Sequence, residues 1–257
     1  MDVTADPASR YAAARRDPTL AVLEGLHALK HALRFGADVL DVVAAEDHRL
    51  EELTERLAPE LAPRIEALVR TVPTSVFATL CPRPPQTRVV AIARRPQHRP
   101  VEVLALPGDG PVILLEDPRT MSNMGACVRV AAAAPSVVGV LTTGESDPWN
   151  PAALRGAAGL HFALPVVRAT GTEPTDRPLV AIDPDGDELG ATAIPPRALI
   201  AFGTERYGLS DELLTRADVR LRIPMRPGVS SLNLATSVAA VLFGTGHRGH
   251  DTASGRP

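Results

Sequence analysis

The sequence has few of the residues that build covalent cross-links or metal centres. Its two cysteines, Cys81 and Cys127, cannot form a disulfide framework or supply a four-ligand zinc site. The seven histidines are scattered, and none is paired with a cysteine or an acid at ligand spacing. We therefore expect no bound metal, and a reducing cytoplasm as the location of the protein.

Long apolar runs and the common cofactor motifs are also missing. No run approaches the roughly 18–20 residues needed to cross a bilayer, and residues 1–17 are charged and lack the apolar core of a secretory signal. No G-x-x-x-x-G-K-[ST] loop occurs, and no G-x-G-x-x-G follows a first strand. H-E-x-x-H, C-x-x-C and G-x-S-x-G are absent too. A membrane partner, a nicotinamide cofactor and an acyl-enzyme serine are therefore unsupported.

Lysine is almost absent, since the basic residues of the chain are arginines except for Lys30. This bias is more typical of a GC-rich genome than of a particular chemistry. The formal net charge of −3 argues at first against a nucleic-acid partner, but the charge is unevenly spread. Glu66 is the one acid between residues 64 and 100, against seven arginines: Arg64, Arg70, Arg83, Arg88, Arg94, Arg95 and Arg99. A phosphate-binding surface needs such a local excess, although an arginine-rich solvated loop explains it equally well.

The first part of the chain predicts a small α/β unit. A helix is expected over residues 20–33, where leucines recur at helical spacing and Gly36 follows as a cap. A buried strand is expected over 39–45, a broken helical stretch over 46–67, and short elements over 72–78 and 89–93. We divide the chain into a leader at 1–18, this unit at 19–97, a linker at 98–110, a second unit at 111–246 and a disordered tail at 247–257.

The second unit alternates apolar strands with helices. Strands are expected at 112–115, 137–141, 179–182, 198–202 and 221–224, and helices at 124–134, 152–159 and 232–243. Continuous apolar strands of this kind favour a mostly parallel sheet that is covered on both faces. The predicted fold class is therefore α/β, with a smaller α/β unit in front of the larger one.

Polar segments follow three of these strands, at residues 116–129, 203–210 and 224–233. Because ligands bind at the carboxyl ends of strands in such sheets, the three segments outline one site. Asn123 and Arg129 are expected to converge on one polar centre. Each segment also has a plainer explanation, such as a turn residue, a solvated acid or a helix cap.

The other two segments add a turn and a helix end. Gly203 and Gly208 bracket a tight turn that presents Glu205. Ser230, Ser231 and Asn233 lie at the N-terminal end of the last helix, where free backbone N–H groups favour anionic or carbonyl ligands.

In this order, the three segments closely resemble motifs 1, 2 and 3 of the SpoU/TrmH family of SPOUT RNA 2′-O-ribose methyltransferases. Motif 1, N-x-G-A-x-x-R, is matched by Asn123, Gly125, Ala126 and Arg129. Motif 2, G-x-E-x-x-G-L, is matched by Gly203, Glu205, Gly208 and Leu209, and motif 3, I-P-M-x-x-x-V-x-S-L-N, by residues 223–233. Residues 19–97 resemble, more weakly, the L30e-like substrate-binding domain of many members.

The resemblance implies a fold, a cofactor and a set of roles. It implies a SPOUT domain with a deep trefoil knot, a homodimer with sites completed across the interface, and ribosomal RNA, or else transfer RNA, as substrate. S-adenosylmethionine would be held by Thr142, Gly203, Ile223, Ser231 and Leu232. Catalysis would use Arg129 at the target ribose with Asn123, Glu205, Ser231 and Asn233. RNA would be contacted by Arg83, Arg88, Arg94 and Arg95, in agreement with the basic stretch.

Two departures from the family pattern keep alternatives open. Arg206 follows the motif 2 glutamate where members usually have glycine, and Val130 follows the motif 1 arginine where they often have threonine or serine. A non-catalytic RNA-binding or ribosome-assembly protein on the same fold is one alternative, and a small-molecule methyltransferase is a weaker one. An arginine is a poor base because its pKa exceeds about 12, so Arg129 is expected to stabilise negative charge. The alternative, proton removal by Arg129 itself, would need a marked lowering of its pKa.

Overall fold

Two sheets organise the protein, and each is the centre of one α/β unit. The computed structural model describes residues 6–204 and 207–244. Within these residues no helix is long and apolar enough to cross a membrane.

The first unit is a four-stranded mixed sheet. Its strands are β1 (Leu20–Glu24), β2 (Val39–Ala45), β3 (Val69–Val72) and β4 (Val89–Arg94). Its helices are α1 (Pro7–Ala14), α2 (Leu26–Arg34), α3 (Leu50–Leu57), α4 (Ala62–Leu68) and α5 (Thr74–Phe77), with a 3₁₀ turn at Pro59–Leu61. The strand order is β1-β4-β2-β3, and only β2 and β3 run parallel.

The predicted helix over 20–33 is wrong in its first part, because residues 20–24 form strand β1. All five of these residues are buried. Leu20 and Val22 face the core that contains Tyr11 of α1, whereas Ala21 and Leu23 face the core that contains α2. A strand covered on both faces has no alternation of apolar and polar residues, so the sequence pattern does not separate it from a buried helix.

The second unit is a six-stranded sheet in which all strands run parallel, as predicted. Its strands are β5 (Val112–Leu115), β6 (Gly139–Thr142), β7 (Val166–Arg168), β8 (Leu179–Glu188), β9 (Leu199–Phe202) and β10 (Val219–Arg222). Its helices are α6 (Pro100–Leu104), α7 (Met121–Ala133), α8 (Pro151–Gly156), α9 (Asp211–Arg216) and α10 (Leu234–Gly244), with a 3₁₀ turn at Leu160–Phe162. The strand order is β10-β8-β9-β5-β6-β7.

Three details of this unit differ from the expectations. Strand β7 was not predicted, and the segment 98–110, expected to be a linker, contains α6, whose Val103 and Leu104 pack into the core beside the sheet. In β8 the register with β10 shifts, so that residues 182–186 leave the regular ladder. The trefoil knot stays a prediction.

One hydrophobic core runs through both units. Ala28 and Leu29 of α2 belong to the same buried cluster as Ala153, Leu154 and Ala157 of the second unit. The face of α2 that carries Ala28 and Leu29 therefore packs into a core shared with α8 and Ala157, rather than facing solvent.

Candidate active site

A cavity of about 490 Å³ opens at the carboxyl ends of β8, β9 and β10. Four of the five residues predicted to hold a cofactor line it: Gly203, Ile223, Ser231 and Leu232. The rest of the wall combines apolar side chains, hydroxyl groups and two carboxylates, among them Ile182, Phe202, Ser230, Ser237, Asp183 and Asp211. The predicted convergence of two polar segments at one edge of the sheet is thus observed.

Thr142 does not lie at this cavity, contrary to its predicted role. It ends β6, which is separated from β9 by β5. The residue is fully buried, and its hydroxyl has no hydrogen-bond partner within the described residues. The order of strands in the sheet, which the sequence does not reveal, removes Thr142 from the site.

The predicted tight turn after β9 is present. Thr204 and Gly208 exchange both backbone hydrogen bonds, at 3.1 and 3.0 Å. A Cβ atom on Gly203 would overlap the backbone of Gly208, so only glycine allows the chain to close this way. Glu205 and Arg206, between these residues, lie outside the described residues.

Motifs 1 and 3 meet through two asparagines. Asn233 Nδ2 donates a hydrogen bond to Asn123 Oδ1 at 3.3 Å. Asn233 Oδ1 accepts one from the backbone N–H of Ala235 at 3.0 Å, which satisfies the start of α10. The polar segments around residues 123 and 233 therefore form one constellation.

A second cavity, of about 420 Å³, adjoins the first. The two share Thr204, Tyr207 and Leu234, and Asn123 and Arg119 line the second. Asp117 pairs with Arg119 at 2.9 Å, and the hydrogen bond from this pair raises the pKa of Arg119. Tyr207 is 70% exposed, so its ring stands at the boundary of both cavities.

Arg129 lies away from both cavities. It is exposed on α7, six residues after Asn123, which is about 9 Å along the helix axis and about 240° around it. Its side chain has no hydrogen bond or ion pair with any residue that the structure describes. Within a single chain, Asn123 and Arg129 do not converge as predicted, because they project from different sides of one helix.

The basic stretch is largely neutralised in the folded chain. Arg94 pairs with Asp38 at 2.8 Å, and Arg88 with Asp47 at 3.7 Å. These acids lie outside residues 64–100, so the local excess of positive charge in the sequence does not become an equal excess on the surface. Arg83 is exposed, in the loop that precedes β4.

Arg95 is enclosed between the two units and is poorly placed to contact RNA. It pairs with Asp147 of the second unit at 2.8 Å and also donates to the carbonyl oxygen of Leu20. Its side chain is 10% exposed. The contacts that the structure gives Arg95 join the two units, and its predicted contact with RNA stays a prediction.

Sequence reasoning missed Asp183, whose carboxylate lines the first cavity and pairs with Arg220. Asp183 follows the apolar run 179–182, which was predicted as a strand. The search for polar residues at the carboxyl ends of strands could therefore have found it. A charged groove of about 410 Å³ was also missed, because its arginines, Arg49, Arg56 and Arg88, come from separate parts of the chain. Asp47 and Glu52 line it too and pair with Arg88 and Arg49. Within residues 6–204 and 207–244, no three histidine, cysteine, aspartate or glutamate side chains cluster as metal ligands.

Comparison with known proteins identifies the family of the chain. The model of the SpoU rRNA Methylase family matches residues 110–243. A protein of Mycobacterium bovis, named as an uncharacterized tRNA/rRNA methyltransferase, is 32% identical over 223 residues, which cover 81% of this chain and 75% of that protein. The 23S rRNA (guanosine(2553)-2′-O)-methyltransferase of Bacillus subtilis is 25% identical over 233 residues, with 86% of each chain covered.

The fold is also found among solved structures. The SpoU methyltransferase AviRb of Streptomyces viridochromogenes, in complex with AdoMet, superposes with a TM-score of 0.75 at 22% identity and covers 93% of this chain and 96% of that one. Since the family model spans more than half of the 257 residues, the chain belongs to the SpoU rRNA methylase family and is an RNA methyltransferase that uses S-adenosylmethionine.

Proposed function

We propose that this enzyme methylates a ribose 2′-hydroxyl group of ribosomal RNA. The observation that carries the proposal is the pair of adjoining cavities, which share Thr204, Tyr207 and Leu234. A methyl donor in the first cavity and a nucleotide in the second would be held side by side, as a direct transfer requires. The name of the Bacillus subtilis relative supports both the 2′-O position and 23S rRNA.

The first cavity fits S-adenosylmethionine. Phe202, Ile223 and Leu232 offer apolar surface to an adenine ring. Asp211 adds negative charge, which suits the sulfonium and ammonium groups of the cofactor, while the Asp183 carboxylate is shared with Arg220. When bound there, the cofactor supplies an electrophilic methyl group, and Gly203 and Ser231 would complete its contacts.

The asparagine pair would orient the ribose. Asn123 lines the second cavity and is held by Asn233, whose own position is fixed by the start of α10. Two amide groups fixed in this way can hold a hydroxyl group in line with the methyl group without reorganisation during the reaction. Ser231, and Glu205 by resemblance, would complete this polar centre.

Arg129 would stabilise the negative charge that develops on the ribose oxygen as its proton leaves, or the phosphate beside it. Because Arg129 does not reach the cavities of its own chain, we further propose a homodimer in which it serves the cavity of the other protomer. The free guanidinium group on an exposed helix face supports this arrangement.

RNA contacts outside the cavities are proposed for Arg83, Arg88 and Arg94, which are at least partly exposed. The enzyme would act in the cytoplasm. Transfer RNA is a second candidate substrate, because the Mycobacterium bovis relative is named for both RNA classes.

The test is methyl transfer from labelled S-adenosylmethionine to transcripts of 23S rRNA and of transfer RNAs. We expect label in the 23S transcript and, after digestion to nucleosides, in one 2′-O-methylnucleoside identified by mass spectrometry. Label in a base-methylated nucleoside would contradict the proposal. Transfer to the tRNA transcripts alone would change the substrate to the second candidate.

A further inference from the structure

The ring of Tyr207 is the most exposed large apolar side chain in the part of the chain that the structure describes. It is 70% exposed, whereas the rings of Tyr11, Phe77, Phe202 and Trp149 are buried. A single exposed apolar residue needs no explanation by itself. The position of Tyr207 does need one, because this residue lines both cavities of the candidate active site.

The backbone that carries this ring is held in a closed turn. The N–H of Tyr207 donates a hydrogen bond to Thr204 Oγ1 at 3.1 Å. Thr204 and Gly208 exchange both of their backbone hydrogen bonds around it, and Gly203 approaches the backbone of Gly208 too closely to carry a Cβ atom. A ring with two side-chain torsions on such a turn loses little conformational entropy when a ligand covers it. The turn therefore presents Tyr207 as a preorganised surface.

The other walls of the second cavity suit a flat, uncharged group. Pro118 and Leu234 contribute apolar surface, and Asn123 contributes an amide group. Among the described residues that line this cavity, Arg119 is the one that carries a charge, and Asp117 pairs with it at 2.9 Å. A phosphate group is attracted by unpaired positive charge, whereas a nucleobase has two apolar faces and a polar edge. The cavity therefore favours a base over a phosphate group.

A base in this cavity would belong to the nucleotide that is methylated. In the proposed reaction Asn123 orients the ribose, and the base is joined directly to that ribose. Asn123 and Tyr207 line the same cavity of about 420 Å³, so a base attached to this ribose would meet the ring. A base that leaves the stack of an RNA strand loses favourable contacts, and stacking on an aromatic side chain replaces part of them.

We infer that Tyr207 is the stacking platform for the base of the target nucleotide. The inference deepens the proposed function and rests on it. Every base has a flat face, so the ring positions the nucleotide without selecting its identity. Stacking of this kind also requires a base that is free of its neighbours in the strand. The substrate is therefore a nucleotide that is unpaired, or that is extruded from its helix, in ribosomal RNA.

The test compares Tyr207→Leu and Tyr207→Phe with a matched control, Phe35→Leu. The control removes a ring that is 45% exposed and lines neither cavity. The probe is a full-length 23S rRNA transcript. For Tyr207→Leu we expect the KM for RNA to rise on the order of tenfold, with a smaller change in kcat. Tyr207→Phe keeps the ring and should keep the wild-type KM, as should Phe35→Leu.

The salt dependence distinguishes stacking from a contact with phosphate. Because a stacked ring contacts no phosphate group, the ratio of the KM of Tyr207→Leu to that of the wild type should be the same at about 50 and 200 mM salt. An unchanged KM in Tyr207→Leu would overturn the inference. An equal rise in Phe35→Leu or in Tyr207→Phe would overturn it as well.

Two further measurements exclude other uses of the ring. Tyr207 also lines the first cavity, so calorimetry should show the wild-type affinity for S-adenosylmethionine in Tyr207→Leu. A loss of cofactor affinity as large as the rise in KM would assign the ring to the cofactor and overturn the inference. A change of oligomeric state in sedimentation would assign the ring to a contact between two copies of the chain, with the same consequence.

A spectroscopic signature separates failure of this inference from failure of the proposed function. The chain has two tyrosines, Tyr11 buried and Tyr207 exposed, so ring-labelled tyrosine reports on both in NMR spectra. With saturating S-adenosylmethionine, millimolar adenosine 5′-monophosphate should shift the Tyr207 signal upfield, through the ring current of the stacked base, and leave Tyr11 unchanged. If the wild-type protein shows this shift but transfers no methyl group to the transcript, the proposed function fails and the stacking surface stands. An unshifted Tyr207 signal would overturn the inference.

Discussion

The basic stretch of the first unit and the strand ends of the second unit use their charged and polar residues differently. Most arginines of residues 64–100 meet an acid, as Arg70 does with Asp41 at 2.9 Å. In the second unit, polar side chains at strand ends surround two adjoining cavities, and Asn123 meets Asn233 there. The difference shows that polar segments at the ends of parallel strands can meet around a cavity, whereas an excess of one charge along the sequence need not become an equal excess on the surface.

The largest expected effect separates chemistry in the second unit from binding. Arg129→Ala should lower kcat by about a hundredfold or more, because the charge that stabilises the developing oxyanion is lost. Calorimetry should show unchanged affinity for S-adenosylmethionine, since Arg129 does not line the first cavity. Arg168→Ala, which removes an exposed arginine on β7, is the control and should retain activity. Normal turnover in Arg129→Ala would contradict the role of Arg129.

The second unit also contains a buried arginine, Arg177, whose contribution to the free energy of unfolding can be compared with that of an exposed arginine. Arg177 is almost fully buried, and its guanidinium group donates to backbone carbonyl oxygens of Leu104, Leu106, Gly110 and Arg197. Arg177→Met should lower the free energy of unfolding by about 3 kcal/mol or more, because four buried acceptors lose their donors.

Denaturant unfolding provides the measurement for this prediction. The control is Arg216→Met, whose exposed side chain contacts Glu212, and we expect a change within about 0.5 kcal/mol. Equal losses of unfolding free energy in Arg177→Met and Arg216→Met would contradict the stabilising role assigned to Arg177.

The pH dependence of the free energy of unfolding tests the burial of His161 in the core. Burial lowers the pKa of His161 to about 4, and its Nε2 donates to the carbonyl oxygen of Pro148 at 2.8 Å. Because the folded state resists protonation more than the unfolded state does, stability is full above pH 6.5 and falls as the pH decreases towards 4. The loss would reach about 3 kcal/mol from this group.

Unfolding free energies measured at several pH values check this sign, with His161→Asn as the comparison. The variant should show a flatter curve between pH 6.5 and 4. An identical slope in both proteins would assign the pH dependence to other groups.

The smallest expected effect concerns Arg94 and Arg95, which are neighbours in the basic stretch and were both predicted to contact RNA. Arg95→Gln should lower the free energy of unfolding by about 1–2 kcal/mol, because the Arg95 guanidinium is only 10% exposed and joins the half-exposed Asp147 to the first unit. Arg94→Gln breaks an exposed pair with Asp38 and should change stability by no more than about 0.5 kcal/mol. In salt-dependent RNA binding the order should reverse, with a smaller slope only for Arg94→Gln. A smaller slope for Arg95→Gln would support its predicted RNA contact.

Much of the second unit could be predicted from the sequence. Its strands are continuous apolar runs that end at polar segments, and this pattern predicts a parallel sheet with a site at one edge. The cavity residues Gly203, Ile223, Ser231 and Leu232 follow from that rule together with the family resemblance. Thr142 was expected beside these residues but does not line the cavity, because the sequence does not give the order of strands within a sheet.

The first unit was harder to predict for physical reasons. The apolar run 20–23 lies between two cores and has no alternation, so a strand was read as part of a helix. The partners of Arg94 and Arg95 are 56 and 52 residues away, at Asp38 and Asp147, and such pairing leaves no local pattern. Counting charges in one stretch therefore overstated the free positive charge.

The central claim is that the site between the two cavities methylates a ribose of ribosomal RNA. The most direct measurement is a map of ribose methylation in ribosomal RNA from the source organism, with and without this protein. The account predicts that one 2′-O-methyl group disappears when the protein is deleted, and that the wild-type protein restores it but Arg129→Ala does not. An unchanged map, or full restoration by the Arg129→Ala variant, would contradict it.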